Sequence, residues 1–299
     1  MGSSDGRVVI VTGAARGLGR AHALAFAADG ARVLVNDLGV ERDGSAGTSD
    51  AANEVVEEIR AAGGEAEANA ADVADWQQAG AMVQQAIDTW GGLDTLVCNA
   101  GFLRDRMLAG MSEDEWDSVT RVHLKGHFAP ARHAIEFWRD RSKAGEPVAA
   151  RVVNTSSGAG LAGSIGQGNY AAAKAGIALL TIQQAAEWGR YGVAVNAIAP
   201  DARTRMTEGV FYSAEAPEGW DEKAPENVSP LVVWLGSAAC DVTGRVFECT
   251  GGQLNVCDGW QKGPIESVGE RSMSIAEAGE LAHRSIDGAP EPHPVHGAS

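Results

Sequence analysis

Tyr170 and Lys174 stand four residues apart in Tyr-Ala-Ala-Ala-Lys. On a helix that interval places both side chains on one face. A tyrosine hydroxyl is a poor base at its ordinary pKa of about 10, and a neighbouring ammonium favours the phenolate. Lys174 is therefore expected to activate Tyr170. A tyrosine on a helix usually packs, so this pair alone carries little weight. Ser157, 13 residues upstream at the end of a β-branched run, changes that. Its hydroxyl can hydrogen-bond a carbonyl or alcohol oxygen, with Ser156 the less favoured neighbour. The three groups together suit general acid–base transfer of a proton at such an oxygen.

A second chemical feature lies near the N-terminus. Thr12-Gly13-Ala14-Ala15-Arg16-Gly17-Leu18-Gly19 follows a short apolar run and leads into a helical pattern. Glycines there allow a sharp turn and close backbone approach to a pyrophosphate, which the helix N-terminus attracts. Asp37 follows the second apolar run, 18 residues past Gly19. A carboxylate at that place accepts hydrogen bonds from ribose hydroxyls and repels a 2′-phosphate, favouring NAD over NADP. Arg16 could instead greet a 2′-phosphate. Asp37 outweighs it, because a carboxylate beside that phosphate costs energy directly while Arg16 can swing into solvent.

These groups need a scaffold, and the hydrophobic pattern supplies one. Strands are expected at 7–12, 32–36, 65–69, 93–97, 151–155, 193–198 and 245–249, the last of them. Helices are expected at 17–29, 49–62, 75–90, 169–190 and 227–235. A long helical region from Ser112 to Arg139 opens on a capping box, with Ser112 as N-cap and Glu115 three residues on. Strand and helix alternating at this spacing make parallel βαβ units with right-handed crossovers. The expected fold class is α/β: a Rossmann-like, doubly wound parallel sheet in a three-layer αβα sandwich, as one catalytic domain over 1–262. The polar stretch 201–226 reads as a lid. Residues 263–299 read as a tail with one helix, Ser274 to Ser285, and a Pro-rich end without regular structure.

Composition narrows the function classes. Of 299 residues, 24 are Lys or Arg and 40 are Asp or Glu, a net charge of −16. Such a chain repels polyphosphate and anionic bilayers, so neither nucleic acid nor a membrane surface is an expected partner. No segment reaches the roughly 18 apolar residues of a membrane span, and the first residues lack an apolar signal region. The four cysteines (Cys98, Cys240, Cys249, Cys257) form no Cys-x-x-Cys pair. A chain of this length needs no disulfides, so a reducing compartment, the cytoplasm, is expected. No metal-ligand pattern stands out.

Thr12 to Gly19, Asn99-Ala100-Gly101, Ser157, Tyr170 and Lys174 occur in an order that resembles the short-chain dehydrogenase/reductase family. Two positions depart from its usual pattern: Cys98, where a second asparagine often precedes Asn99, and His123, where many members carry a catalytic asparagine. Within the family, Asn36-Asp37-Leu38-Gly39, 103–107, 122–126, 205–207 and 230–235 are similar to the dehydrogenase part of type 2 multifunctional β-oxidation enzymes and their stand-alone bacterial relatives. Histidine is usual at the position of His123 in that branch, which acts on (3R)-hydroxyacyl-CoA.

The resemblance implies an NAD-dependent oxidoreductase that converts a 3-hydroxyacyl-CoA, fatty-acyl or steroid side-chain, to the 3-oxoacyl-CoA. Tyr170 would serve as base, Ser157 would position the oxygen, and Lys174 would hold the nicotinamide ribose. His123 would prop a relay water through its carbonyl, or its imidazole would only pack. Gly13, Arg16, Gly17, Leu18 and Gly19 would meet the pyrophosphate side, and Asp37 the ribose. Asp72 and Val73 would meet adenine. Cys98 (mainly by backbone), Asn99, Ala100, Gly101, Pro200, Ala202 and Thr204 would line the rest. A homodimer or homotetramer through the two long helices is implied. The competing readings are a 17β-type hydroxysteroid dehydrogenase and an NADPH-dependent 3-oxoacyl-carrier-protein reductase, which Asp37 opposes. A silent dinucleotide-binding module is opposed by the intact Ser157, Tyr170 and Lys174.

Two readings concern the periphery. With the global charge at −16, an acyl-CoA would need local cations, and Arg104, Arg106, Arg203, Arg205 and Lys223 are the candidates. They could equally pair with Asp105, Asp201 and Glu208 and hold loops. In the tail helix, Ile275, Ala278, Ala282 and Ile286 fall near one face, which is expected to dock on a neighbouring subunit or beside the lid.

Overall fold

The β-branched run Val8–Thr12 is buried along its whole length, as a central parallel strand must be. It forms β1 in a computed structural model that describes residues 2–39, 50–204, 217–257, 259, 264–289 and 295–297. The other strands are β2 (Arg32–Asn36), β3 (Glu65–Asn69), β4 (Thr95–Cys98), β5 (Ala150–Thr155), β6 (Val193–Pro200), β7 (Val246–Thr250) and β8 (Gln253–Val256). They make one sheet in the order β3-β2-β1-β4-β5-β6-β7-β8. Every pairing is parallel except β7 with β8, a hairpin that the sequence reading missed.

The two-residue period of the strands splits the core into two layers. Val9, Val11, Val33, Val35, Val97 and Val153 pack to one side with Phe26 of α1 (Gly17–Ala28), Val55 of α2 (Ala51–Ala61) and Val232 of α8 (Ser229–Gly236). Val8, Ile10, Leu34, Leu96 and Val152 pack to the other with Met82 of α3 (Trp76–Trp90), Trp138 of α5 (Gly126–Lys143) and Ala185 of α7 (Gly168–Trp188). Each fully buried Val, Leu or Ile contributes about 1.5–3 kcal/mol. This is the expected three-layer sandwich, and the strand order turns back between β1 and β4.

The long helical region, expected as one stretch, is interrupted at Arg121–Lys125. The capping box of Ser112 and Glu115 opens α4 (Glu113–Thr120). Arg121–Lys125 then widens to a π-turn, in which the Gly126 N–H donates to the Arg121 carbonyl, before α5 continues. Pro130 in α5 has no N–H to offer Gly126, so the hydrogen-bond ladder is already broken at this junction. A short α6 (Gly158–Ala162) follows β5 directly.

At the periphery, residues 205–216, the middle of the expected lid with Arg205 and Glu208, lie outside the described residues. The tail helix α9 (Ile275–Asp287) forms with Ser274 as N-cap. Its buried side centres on Leu281, while Ile275 and Ile286 of the expected apolar face are exposed in the single chain. The Pro-rich end is not wholly without structure, because His296 bridges to Ser164.

Candidate active site

Where the sheet order turns back, a cavity of about 410 Å³ opens at the carboxyl ends of β1, β2, β4, β5 and β6. Open α/β sheets hold ligands at such a switch point. The cavity is lined by Gly13, Arg16, Gly17, Leu18, Gly19, Asp37, Asp72, Val73, Asn99, Ala100, Gly101, His123, Ser157, Tyr170, Lys174, Pro200, Ala202 and Thr204. Of the residues expected from sequence, Cys98 is the exception. It is fully buried behind the lining, with its thiol directed to the His127 carbonyl at 3.8 Å. Burial pushes that thiol up to about 12, so it is an inert packing group.

The glycine loop is built by β1 and locked to β4. The Thr12 hydroxyl accepts from the Asn99 and Ala100 N–H groups at 2.9 and 3.1 Å. The Asn99 side chain donates back to the Thr12 and Gly13 carbonyls. This close approach explains the glycines at the two ends of the loop. A Cβ on Gly13 would stand 2.7 Å from Ala100 Cα, and one on Gly19 would stand 2.1 Å from the Gly13 carbonyl oxygen. The protein's own packing demands them, beyond any need of a ligand. Thr12 was not singled out from sequence, although a threonine ending a buried strand is the signal that could have found it.

The cradle fits a dinucleotide. Arg16 at the N-cap of α1 makes no side-chain capping bond, and the first-turn N–H groups of a helix have no intrahelical acceptors. They lie in the lining at Gly17, Leu18 and Gly19. Asp37 accepts from the Ala15 N–H at 3.0 Å and the Gly39 N–H at 2.8 Å, which fixes its carboxylate beside the loop. Asp72 is held by Arg121 at 2.6 Å and by the Ala74 N–H at 2.8 Å. Arg121, from the π-turn, also lines the cavity and was missed from sequence.

At the other end, Ser157 caps α6, with its oxygen accepting from the Ala159 N–H at 3.2 Å. Its side chain is hydrogen-bonded to the Tyr170 hydroxyl. Ser156, the alternative, instead donates to the Lys174 carbonyl at 2.8 Å and seats α7. Tyr170 is oriented by Asn169, which donates to the Glu115 and Arg104 carbonyls and accepts from the Tyr170 N–H. Lys174 donates to the Thr155 carbonyl at 2.6 Å, with its ammonium 5.5 Å from the centre of the Tyr170 ring.

The electrostatics differ from the expected activation. Burial raises Tyr170 above its ordinary value, the Ser157 hydrogen bond lowers it, and the negative charge of Asp105 raises it. Burial also brings Lys174 down to about 7. In this geometry the lysine is not what dominates the tyrosine, because both groups share a dry site that disfavours charge.

His123 sits in the π-turn with its ring fully buried. Its Nε2 is 2.8 Å from the Phe102 carbonyl and 3.2 Å from the Phe102 N–H. The ring meets the Tyr170 ring edge-on, 5.1 Å between centres. Burial, with help from Lys174, holds it neutral by pushing it down to about 3. Its main-chain carbonyl already accepts from the Gly126 N–H and the His127 imidazole.

The basic candidates pair with carboxylates, Lys223 with the expected Asp201 and the others with acids not named as their partners from sequence. Arg104 pairs with Asp114, Arg106 with Glu115, Arg203 with Asp221 and Lys223 with Asp201. Arg104 also lines the cavity. Among the described residues no cluster could hold a metal ion, and no helix is long and apolar enough to cross a membrane.

Such a sheet, carrying a glycine loop and a Ser–Tyr–Lys cluster at its switch point, defines an oxidoreductase class. Residues 7–213 match the family described as short chain dehydrogenase, and the chain belongs to that family. It is thus an enzyme of the dehydrogenase type that acts on a hydroxyl group with a nicotinamide cofactor. The chain is 48% identical over 261 residues to the hydroxyacyl-CoA dehydrogenase ChsB1 of Mycobacterium tuberculosis, covering 84% of this chain and 80% of that one. It is 45% identical over 251 residues to the mouse peroxisomal multifunctional enzyme type 2, covering 84% of this chain but 32% of the mouse protein. A crystal structure of a short chain dehydrogenase from Mycobacterium avium is 61% identical, with a TM-score of 0.89 over 99% of this chain and 100% of that one.

Proposed function

We propose that this enzyme oxidises a 3-hydroxyacyl-CoA to the 3-oxoacyl-CoA with NAD. The observation that carries the substrate class is the 48% identity to a hydroxyacyl-CoA dehydrogenase across 80% of that protein's length. Preference for NAD rests on Asp37, which two backbone N–H groups fix beside the glycine loop. A 2′-phosphate placed there would meet a carboxylate that cannot turn away.

When bound, the nicotinamide accepts the hydride. The chain's own residues do the rest. Ser157 and Tyr170 receive the substrate oxygen between them, and Tyr170, as the phenolate, takes the hydroxyl proton as the C–H bond breaks. Ser157, its oxygen tied to Ala159, stabilises the charge that develops on the substrate oxygen. Lys174, anchored on Thr155, holds the cofactor ribose. The raised Tyr170 favours the reverse role, in which the phenol is the acid. His123 acts by packing: it backs the Tyr170 ring while its carbonyl is engaged by Gly126 and His127. Arg104, at the cavity lining, is the basic group placed to meet the CoA phosphates. The enzyme assembles as a homo-oligomer, because Leu124, Phe128, Leu179 and Ile182 on the long helices are left exposed.

The test is a comparison of a 3-hydroxyacyl-CoA with its pantetheine thioester. A clear preference for the CoA form, weakened in Arg104→Ala through KM and not kcat, is the expected result. Equal kcat/KM for both forms would show that CoA is not recognised and would favour the hydroxysteroid reading.

A further inference from the structure

The cavity extends well past the catalytic hydroxyls, and the strand order fixes what lies along it. Ser157 follows β5, the glycine loop follows β1, Asp37 follows β2 and residues 71–73 follow β3, and those strands lie in that order across the sheet. A dinucleotide with its nicotinamide at Tyr170 and its pyrophosphate at the first turn of α1 carries its second nucleoside on toward β2 and β3. Its ribose passes Asp37, and its base reaches residues 71–73.

That end of the cavity has apolar sides and one charged edge. Leu38, Ala71 and Val73 line it, with Leu38 45% exposed, and Asp72 supplies a carboxylate. Both carboxylate oxygens are engaged. Oδ1 accepts from the Ala74 N–H at 2.8 Å, and Oδ2 accepts from Arg121 Nη2 at 2.6 Å. Arg121 comes 49 residues later in the chain, from the π-turn. The end of that turn is seated on the same loop, since a Cβ on Gly126 would stand 2.7 Å from Val73 Cγ2. An oxygen that accepts one hydrogen bond keeps a second lone pair. The oriented carboxylate therefore accepts from an amino group on the edge of a base and repels a carbonyl oxygen at the same place. Without Arg121 it keeps the Ala74 N–H alone and is free to turn into solvent.

We propose that Arg121 is a positioning residue for the base of the cofactor: by fixing Asp72 across the cavity, it makes this end select adenine, with its exocyclic amino group, over a base that carries a carbonyl there. This rests on the dinucleotide reading of the cavity. It is independent of the substrate and of the choice between NAD and NADP, which share the same base.

The experiment is a binding titration of the full chain with NADH, with its hypoxanthine counterpart and with NADPH. Hypoxanthine replaces the amino group by a carbonyl and leaves the rest of the dinucleotide unchanged. The wild type should bind NADH about 10–100-fold more tightly than the hypoxanthine form, the worth of a hydrogen bond to a charged group. In Arg121→Met that ratio should fall about tenfold. Arg121→Lys should stay within about threefold of the wild-type ratio, because the pair is one hydrogen bond that an ammonium can also make. Asp72→Ala should lose the ratio as well, and Arg121→Met added to it should change the ratio no further. A wild type without preference for adenine overturns the proposal. So does an Arg121→Met variant that loses affinity for both dinucleotides equally, the mark of a merely structural pair, or an Arg121→Lys variant that loses as much of the ratio as Arg121→Met. Tighter binding of NADPH than of NADH would contradict the reading of Asp37 and leave the adenine ratio to decide on Arg121.

Discussion

Gly101 is a position where any side chain would strike the buried imidazole of His123. A Cβ there would stand 2.1 Å from His123 Cε1 and 2.7 Å from Nδ1. The imidazole has nowhere to go, because it is fully buried, bonded to Phe102 and packed edge-on against Tyr170. Gly101→Ala therefore overpacks the site, at about 1–3 kcal/mol. Pulling the ring from Phe102 adds the net value of a hydrogen bond, about 0.5–1.5 kcal/mol. The sum of about 1.5–4.5 kcal/mol should lower Tm by roughly 2–7 °C for a chain of this size. Activity should fall too, since the displaced ring is what backs Tyr170. The assay is a double-mutant cycle with His123→Ala, read by thermal melting and by kcat. The methyl has room once the imidazole is gone, so the double variant should be more stable than the two single costs predict, by about 1 kcal/mol or more. Strictly additive costs would refute the claim that Gly101 is there for His123.

Three other outcomes follow from the same geometry. Tyr170→Phe should lower kcat by roughly 10²–10⁴, the usual worth of a positioned acid–base group, while NAD binding followed by fluorescence survives. Asp37→Ala should narrow the preference for NAD over NADP, and a wild type with higher kcat/KM for NADP would give the decision to Arg16. His22 is buried, bonded to Ser229, and pushed down to about 3 by burial. The unfolded chain binds its proton near pH 6.5 and the folded chain does not, so this group's share of stability is full above pH 6.5. It is lost as pH falls toward 3, with a slope of at most about 1.4 kcal/mol per pH unit. Denaturant midpoints measured across that range should fall less steeply in His22→Gln.

Local chemistry was legible wherever it follows from the chain itself. Arg32–Asn36 and Glu65–Asn69 are strands with the expected ends, and the Ser112–Glu115 capping box forms as read. The glycine loop and the spacing of Ser157, Tyr170 and Lys174 led to one cavity because each follows a parallel strand or opens a helix at the same sheet edge. What escaped depends on partners far along the chain. Gln253–Val256 is an exposed four-residue strand, too short and too polar to announce itself. The π-turn at His123 has an ordinary helical pattern, and only its contacts with Phe102 and Tyr170 reveal it. The acids that meet Arg104 and Arg106 are Asp114 and Glu115, since the loop folds back on α4 and not on its own neighbours. Tyr170 misled for a related reason: the interval to Lys174 shows proximity, whereas burial decides the direction of the shift.

In the proposed reaction Tyr170 takes the hydroxyl proton of a 3-hydroxyacyl-CoA, Ser157 positions its oxygen and NAD is the oxidant. The most direct test is a steady-state screen in which NADH formation is followed with a (3R)-3-hydroxyacyl-CoA, its (3S) isomer and a 17β-hydroxysteroid, each with NAD and with NADP. The highest kcat/KM is expected for a hydroxyacyl-CoA with NAD, falling by roughly 10²–10⁴ in Tyr170→Phe. A higher kcat/KM for the free hydroxysteroid, or hydroxyacyl-CoA oxidation at near wild-type rate in Tyr170→Phe, would contradict that reaction.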